Sequence, residues 1–181
     1  MQFYKEGYGK PIIIGREDKV LAAINKIGLK GAEKLEILNA SLSKKNNHYF
    51  EFLYKKLNWK GFLERDCQRL VNQDRNIFAA CMVANGDADG MVTGSTRNFF
   101  VAYDDITKVI DPAPKSRIFG LSIIMFEGRT LFIADTTVHY MPSSEELADI
   151  ACQTADIAKK LGHNPRVAML SFANFGNPEI K

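Results

Sequence analysis

Pro11 to Gly15 (PIIIG) is a β-branched run too short to be a helix and closed by glycine. It leads straight into Glu17 to Ile27, where Val20, Leu21, Ile24 and Ile27 recur at helical spacing. The same succession repeats at once. Leu35 to Leu38 predicts a second strand, and between Lys44 and Leu57 the side chains Tyr49, Phe52, Leu53 and Leu57 fall on one helical face. Strands that alternate with helices pair in parallel through helical crossovers, so this pattern predicts an α/β fold with a mainly parallel sheet.

Two more helical segments follow, Glu64 to Val71 and Arg75 to Ala84, the second with Asp74 as its N-cap. Next comes a glycine-rich stretch, Gly86 to Phe99 (GDADGMVTGSTRNF). In it Met91 and Val92 predict a minimal buried strand, and Gly94, Ser95 and Thr96 a turn into the next helix. The prolines of Asp111-Pro112-Ala113-Pro114 punctuate the chain, and the boundary between two subdomains, 1–114 and 115–181, is placed there. Beyond it, Arg117 to Phe126 and Thr130 to Val138 predict a β-hairpin turning at Glu127-Gly128. Ser143 to Leu161 reads as a helix with Ser143 and Glu146 in capping-box register and Gly162 as its stop. Arg166 to Phe172 predicts a last strand, and the chain ends soon after it, which leaves the second subdomain incomplete by expectation.

Composition excludes several classes. With 46% apolar and 25% charged residues the chain is an ordinary globular sequence, not a disordered one. Its 24 basic and 21 acidic side chains are scattered, without the Lys/Arg stripe of a nucleic-acid footprint. The uncharged run from Ile77 to Asn85 falls far short of the roughly 20 residues of a membrane span, and the charged N-terminal segment is not a secretory signal. A cytoplasmic protein is expected, with no nucleic-acid or membrane partner. Cys67, Cys81 and Cys152 follow neither a zinc pattern nor a disulfide framework, and His48, His139 and His163 share no metal or nucleophile-base spacing. No metal site and no catalytic set is predicted.

Three places carry candidate chemistry. Ligands of open α/β sheets lie beyond the carboxyl ends of strands, where helix N-termini favour anions. The turn Thr93-Gly94-Ser95-Thr96-Arg97 and the adjoining Asn98 fit that description. Gly94 allows close backbone approach, Ser95 and Thr96 supply hydroxyls, and Arg97 either grips phosphate bidentately or pairs with a carboxylate such as Asp87. Asp135, Thr136 and Thr137 end the FIADTTV run and either line the same crevice or cap the following loop. Ser171, Asn174 and Asn177 form a third polar cluster after the last strand. Neither a dinucleotide fingerprint nor a P-loop is complete, because GDADG lacks the G-x-G-x-x-G spacing and no GK[ST] follows. The residues by themselves give an anion-binding α/β domain.

GDADGMVTGSTRNF, FIADTTV, SSEELADIACQTADIAKKLG and PRVAMLSFANFG, in this order, resemble the phosphate acetyl- and butyryltransferase family. The longer stretch RLVNQDRNIFAACMVANGDADGMVTGSTRNF, followed by DDITKVIDP, resembles the transferase-like C-terminal domain of bacterial NADP-dependent malic enzymes. The resemblance implies two α/β subdomains of the isocitrate dehydrogenase-like, phosphotransacetylase-like fold, with an acyl-CoA site in the cleft between them. Residues 93–98, 135–137 and Ser171 would bind acyl-CoA or phosphate there. It also implies association at least as dimers, and further sequence completing both subdomains, which would hold the serine, arginine and carboxylate that active transferases use. Where such transferases have an arginine in a segment resembling LRKHKG, this chain reads LYKKLNWKG, with Leu57 and Asn58.

The function implied is therefore an acetyl-CoA-binding, regulatory domain of a malic enzyme, with acetyl-CoA as ligand and no cofactor of its own. NADP and a divalent metal would belong to the N-terminal part of such an enzyme, so no dehydrogenase activity is expected of these residues. One alternative is a phosphate acyltransferase completed by a second chain that carries the missing half. Another is the non-functional product of an interrupted gene.

Overall fold

The structure is a computed structural model in which residues 2–28 and 35–170 are described. The chain divides into two compact units, Met1–Asp111 and Pro112–Lys181.

In the first unit a short helix α1 (Gln2–Lys5) precedes β1 (Ile12–Ile14), α2 (Glu17–Lys26) and β2 (Glu36–Leu38). The two strands pair in parallel, with Ile12 opposite Glu36 and Ile14 opposite Leu38, and α2 lies between them in sequence as the crossover. Helices α3 (Asn46–Leu57), α4 (Glu64–Gln73), α5 (Arg75–Ala84) and α6 (Phe99–Val109) complete the unit. Their apolar faces meet in one core of Tyr49, Leu53 and Leu57 from α3, Cys67 and Val71 from α4, Ile77, Phe78 and Cys81 from α5, and Val109 from α6. Each large side chain buried here stabilises the fold by about 1.5–3 kcal/mol. The Tyr49 and Phe78 rings meet edge to face with centroids 5.3 Å apart. Burial in this core pushes the Cys81 thiol up to about 12, so it stays a protonated, inert sulfur.

The start of α5 is fixed locally. Asp74 is its N-cap, and one carboxylate oxygen accepts the backbone N–H groups of Asn76 and Ile77 at 2.7 and 3.2 Å. Between α5 and α6 the expected strand at Met91 and Val92 does not form. Both residues lie in irregular backbone, and Val92 is fully exposed. Among the described residues these two β-compatible side chains pair with no strand, and propensity alone cannot hold an unpaired strand.

In the second unit β3 (Leu121–Phe126) and β4 (Arg129–Ala134) form an antiparallel hairpin. Glu127 and Gly128 turn it with φ of 42° and 76°, the two positive values that a two-residue turn matched to strand twist requires. Both strands are shorter than their apolar runs. β3 begins at Leu121 and not Arg117, because the Gly120 N–H turns to the Asp135 carboxylate at 2.7 Å, while Arg117 reaches Glu146 and Asp149. Among the described residues, parallel pairing is confined to β1 and β2, so the α/β architecture holds with a smaller parallel sheet than the sequence pattern suggests.

Helix α7 (Ser144–Lys160) carries the predicted capping box: Ser143 Oγ accepts the Glu146 N–H at 3.2 Å, and Glu146 accepts the Ser143 N–H at 2.8 Å. Gly162, at φ 85°, follows its end. Residues 166–170 of the expected last strand lie in irregular backbone, and its remaining two residues fall outside the described ones. No helix among the described residues is long and apolar enough to cross a membrane.

Candidate functional site

The turn of residues 93–97 lines a cavity of about 550 Å³ in the first unit. Its other walls are β1, the loop at Ala88 to Val92, and one face of α5 presenting Arg75, Asn76, Ala79 and Met82. Gly94 at φ 138° and Ser95 at φ 62° bend the backbone sharply, and the Thr96 N–H closes the bend onto the Gly94 carbonyl at 2.8 Å. A Cβ on Gly94 would meet nothing among the described residues within 4 Å. Glycine is therefore required by the backbone angle and not by crowding. Successive N–H groups in such a bend form an anion-binding concavity.

Behind the turn lies a polar network that the sequence does not advertise. Arg97 Nη1 donates to Asp74 Oδ2 at 2.6 Å and to Asp105 Oδ2 at 3.1 Å. Asp105 is buried, and it also accepts from Asn76 Nδ2 at 3.0 Å. Asn76 is buried too, and its Oδ1 accepts the Thr93 hydroxyl at 2.7 Å. The hydrogen bond to Asp74, followed by the charges of both carboxylates, holds the Arg97 pKa above the usual arginine value. Arg97 thus has carboxylate partners, but Asp87 is not one of them. Asp87 instead accepts from Lys45 and, at 2.5 Å, from the Tyr49 hydroxyl. Asn98 caps α6, its Oδ1 accepting the Phe100 N–H at 2.8 Å.

Asp135, in the second unit, is an anchor for the backbone around it. Its side chain is only 2% exposed and accepts the N–H groups of Gly120, Thr137, Val138 and His139 at 2.7–3.0 Å, with His139 Nδ1 at 2.6 Å. Burial alone would push its carboxyl upward, but the N–H groups of Thr137 and Val138, the His139 ring and the Gly120 N–H outweigh that, and the net shift is well downward. A Cβ on Gly120 would lie 2.9 Å from both Asp135 Oδ1 and Thr136 Oγ1 and closer still to Thr137 Oγ1. Only glycine fits under this polar end of the hairpin.

Thr93 to Arg97 thus share one cavity, whereas Asp135 to Thr137 belong to the second unit. Ser171, Asn174 and Asn177 lie outside the described residues. Sequence reasoning missed Arg75, Asn76, Asp74 and Asp105 as parts of the site. The signal available was the N-cap: an aspartate that starts α5 necessarily brings the first helical residues to whatever loop faces that end. Among the described residues no group of three His, Cys, Asp or Glu side chains is placed to hold a metal ion.

Comparison with known proteins agrees with this architecture. The family described as phosphate acetyl/butaryl transferase matches residues 1–181. The chain is 52% identical over 171 residues to an NADP-dependent malic enzyme of Rhizobium meliloti, covering 94% of the chain and 22% of that enzyme. It is 32% identical over 182 residues to a phosphate acetyltransferase of Clostridium acetobutylicum, covering 96% of the chain and 54% of that protein. The EutD phosphotransacetylase from Staphylococcus aureus superposes with a TM-score of 0.81 at 26% identity, over 99% of the chain and 54% of its own. The chain therefore spans less than a quarter of the malic enzyme and about half of the transferases. It belongs to the phosphate acetyl/butyryl transferase family, as a phosphate acetyltransferase-like domain related to malic enzymes.

Proposed function

We propose that this domain binds acetyl-CoA as a regulatory ligand of a malic enzyme and does not turn it over. The observation that carries this reading is the composition of the cavity wall. It offers an apolar side, from Ile12 to Ile14 with Met82 and Met91, and a polar side in Thr93, Ser95 and Thr96 with Arg75. Among the described residues that line it there is no carboxylate, histidine or thiol. Such a wall can hold an acyl chain and phosphate oxygens, but it presents no group to take the proton of an attacking phosphate or give one to a leaving thiolate. The kinship with an NADP-dependent malic enzyme at 52% identity supports the assignment to a malic enzyme.

Kinship with phosphate acetyltransferases favours a second reading, acyl transfer between acetyl-CoA and phosphate. Calorimetric titration of the protein with acetyl-CoA, paired with an assay for free CoA in the presence of phosphate, separates the two. Saturable binding with no CoA release is expected. Steady phosphate-dependent release of CoA would establish the transferase instead, and an absence of any binding heat or competition would remove both.

A further inference from the structure

We propose that Arg75, and not Arg97, is the cation that recognises a phosphate group in the cavity of the first unit, with Arg97 holding the turn in place behind it. The inference rests on the reading of that cavity as a site for a phosphate-bearing acyl thioester, and it concerns which charge does the recognising.

The charges around the turn decide the matter. The Arg97 guanidinium lies between two carboxylates, Asp74 at 2.6 Å and Asp105 at 3.1 Å, so this trio carries a net negative charge and by itself repels an anion. The first turn of α5 is no substitute, because Asp74 already accepts the N–H groups of Asn76 and Ile77. Asn76 has an acceptor for its amide and a donor for its carbonyl oxygen within the protein. The Asn76 side chain and the first N–H groups of α5 are thus committed to other protein groups, and the charge of Arg97 is more than offset by its two carboxylates.

Arg75 differs. It lines the same cavity, is exposed, and its side chain makes no hydrogen bond or ion pair with any described residue. It occupies the first position of α5, where the positive end of the helix dipole disfavours a cation. A guanidinium held there without a partner gives the fold nothing, yet it brings the local charge to zero and offers a planar, five-donor fork to phosphate oxygens. The hydroxyls of Ser95 and Thr96 line the same cavity and supply the remaining donors. Arg75 is thus a ligand-binding residue, and Arg97 a positioning one.

The test is titration of the full protein with acetyl-CoA, for wild type, Arg75→Ala, Arg75→Lys and Arg97→Ala, with a thermal melt of each. Arg75→Ala is expected to weaken binding on the order of ten- to a hundredfold, to flatten its salt dependence, and to leave the melting temperature unchanged or slightly raised. Arg75→Lys should recover part of the affinity. Arg97→Ala should melt earlier. Arg75→Ala binding within twofold of wild type, or Arg97→Ala losing affinity at an unchanged melting temperature, overturns the assignment while leaving the acetyl-CoA reading intact. Failure of wild type itself to bind acetyl-CoA overturns both.

Discussion

At the scale of single residues, the polar side chains flagged by the sequence serve two different ends. Thr93 to Arg97 face a cavity, whereas Asp135 holds the backbone of its own loop, with four N–H groups and an imidazole as partners. Its folded pKa lies below the value in the unfolded chain. The stabilisation it gives is therefore complete above the ordinary carboxylate pKa of about 4, and is lost as pH falls from there toward the folded value. Replacing Asp135 with asparagine should cost about 1.5–3 kcal/mol at neutral pH, the usual contribution of hydrogen bonds to a charged group. Denaturant unfolding from pH 7 to pH 2 checks this. The gap between wild type and Asp135→Asn should narrow below about pH 4, and a constant gap would mean that the charge is not what stabilises the loop.

At the scale of elements, local sequence signals succeeded where they included a helix terminus. α5 and α7 begin where Asp74 and Ser143 place their caps, because a cap side chain satisfies specific N–H groups whatever the rest of the molecule does. Ser143→Ala should lower the stability of the second unit by about 1 kcal/mol. Circular dichroism melts of the variant would show it as a lower midpoint, whereas an unchanged midpoint would mean that the Arg117 contacts to Glu146 and Asp149 suffice to hold the helix. The signals failed at Met91-Val92, from Arg117 to Gly120 and from Asp135 to Val138, where the apolar or β-branched runs extend beyond any strand. A strand exists by pairing, and such runs carry no record of which backbone edge they meet.

At the scale of the whole molecule, burial is uneven. The first unit holds a continuous core drawn from α3, α4, α5 and α6, while in the second only Ile150 and Ala158 are buried apolar side chains among the described residues. On β3 and β4 the side chains of Ile124, Phe126, Leu131 and Ile133 share one face and all are exposed. Protection against amide exchange follows buried contacts, so α3, α4 and α5 should exchange slowest and the β3–β4 hairpin orders of magnitude faster. Hydrogen-exchange mass spectrometry of the full protein tests this. Equal protection of hairpin and core helices would mean that the exposed face is covered in solution.

The alternation of short apolar runs with amphipathic helices determined the α/β class, the parallel pairing of β1 with β2 and the caps of α5 and α7, because periodicity and capping are local properties of a chain. Tertiary structure alone decided what the polar side chains do. Arg97 is as well placed in sequence to meet a phosphate as to meet a carboxylate. Only the fold brings Asp74 and Asp105, distant from each other along the chain, to the same guanidinium nitrogen. The charge of a site is a sum over neighbours in space, and a sequence lists neighbours along the chain.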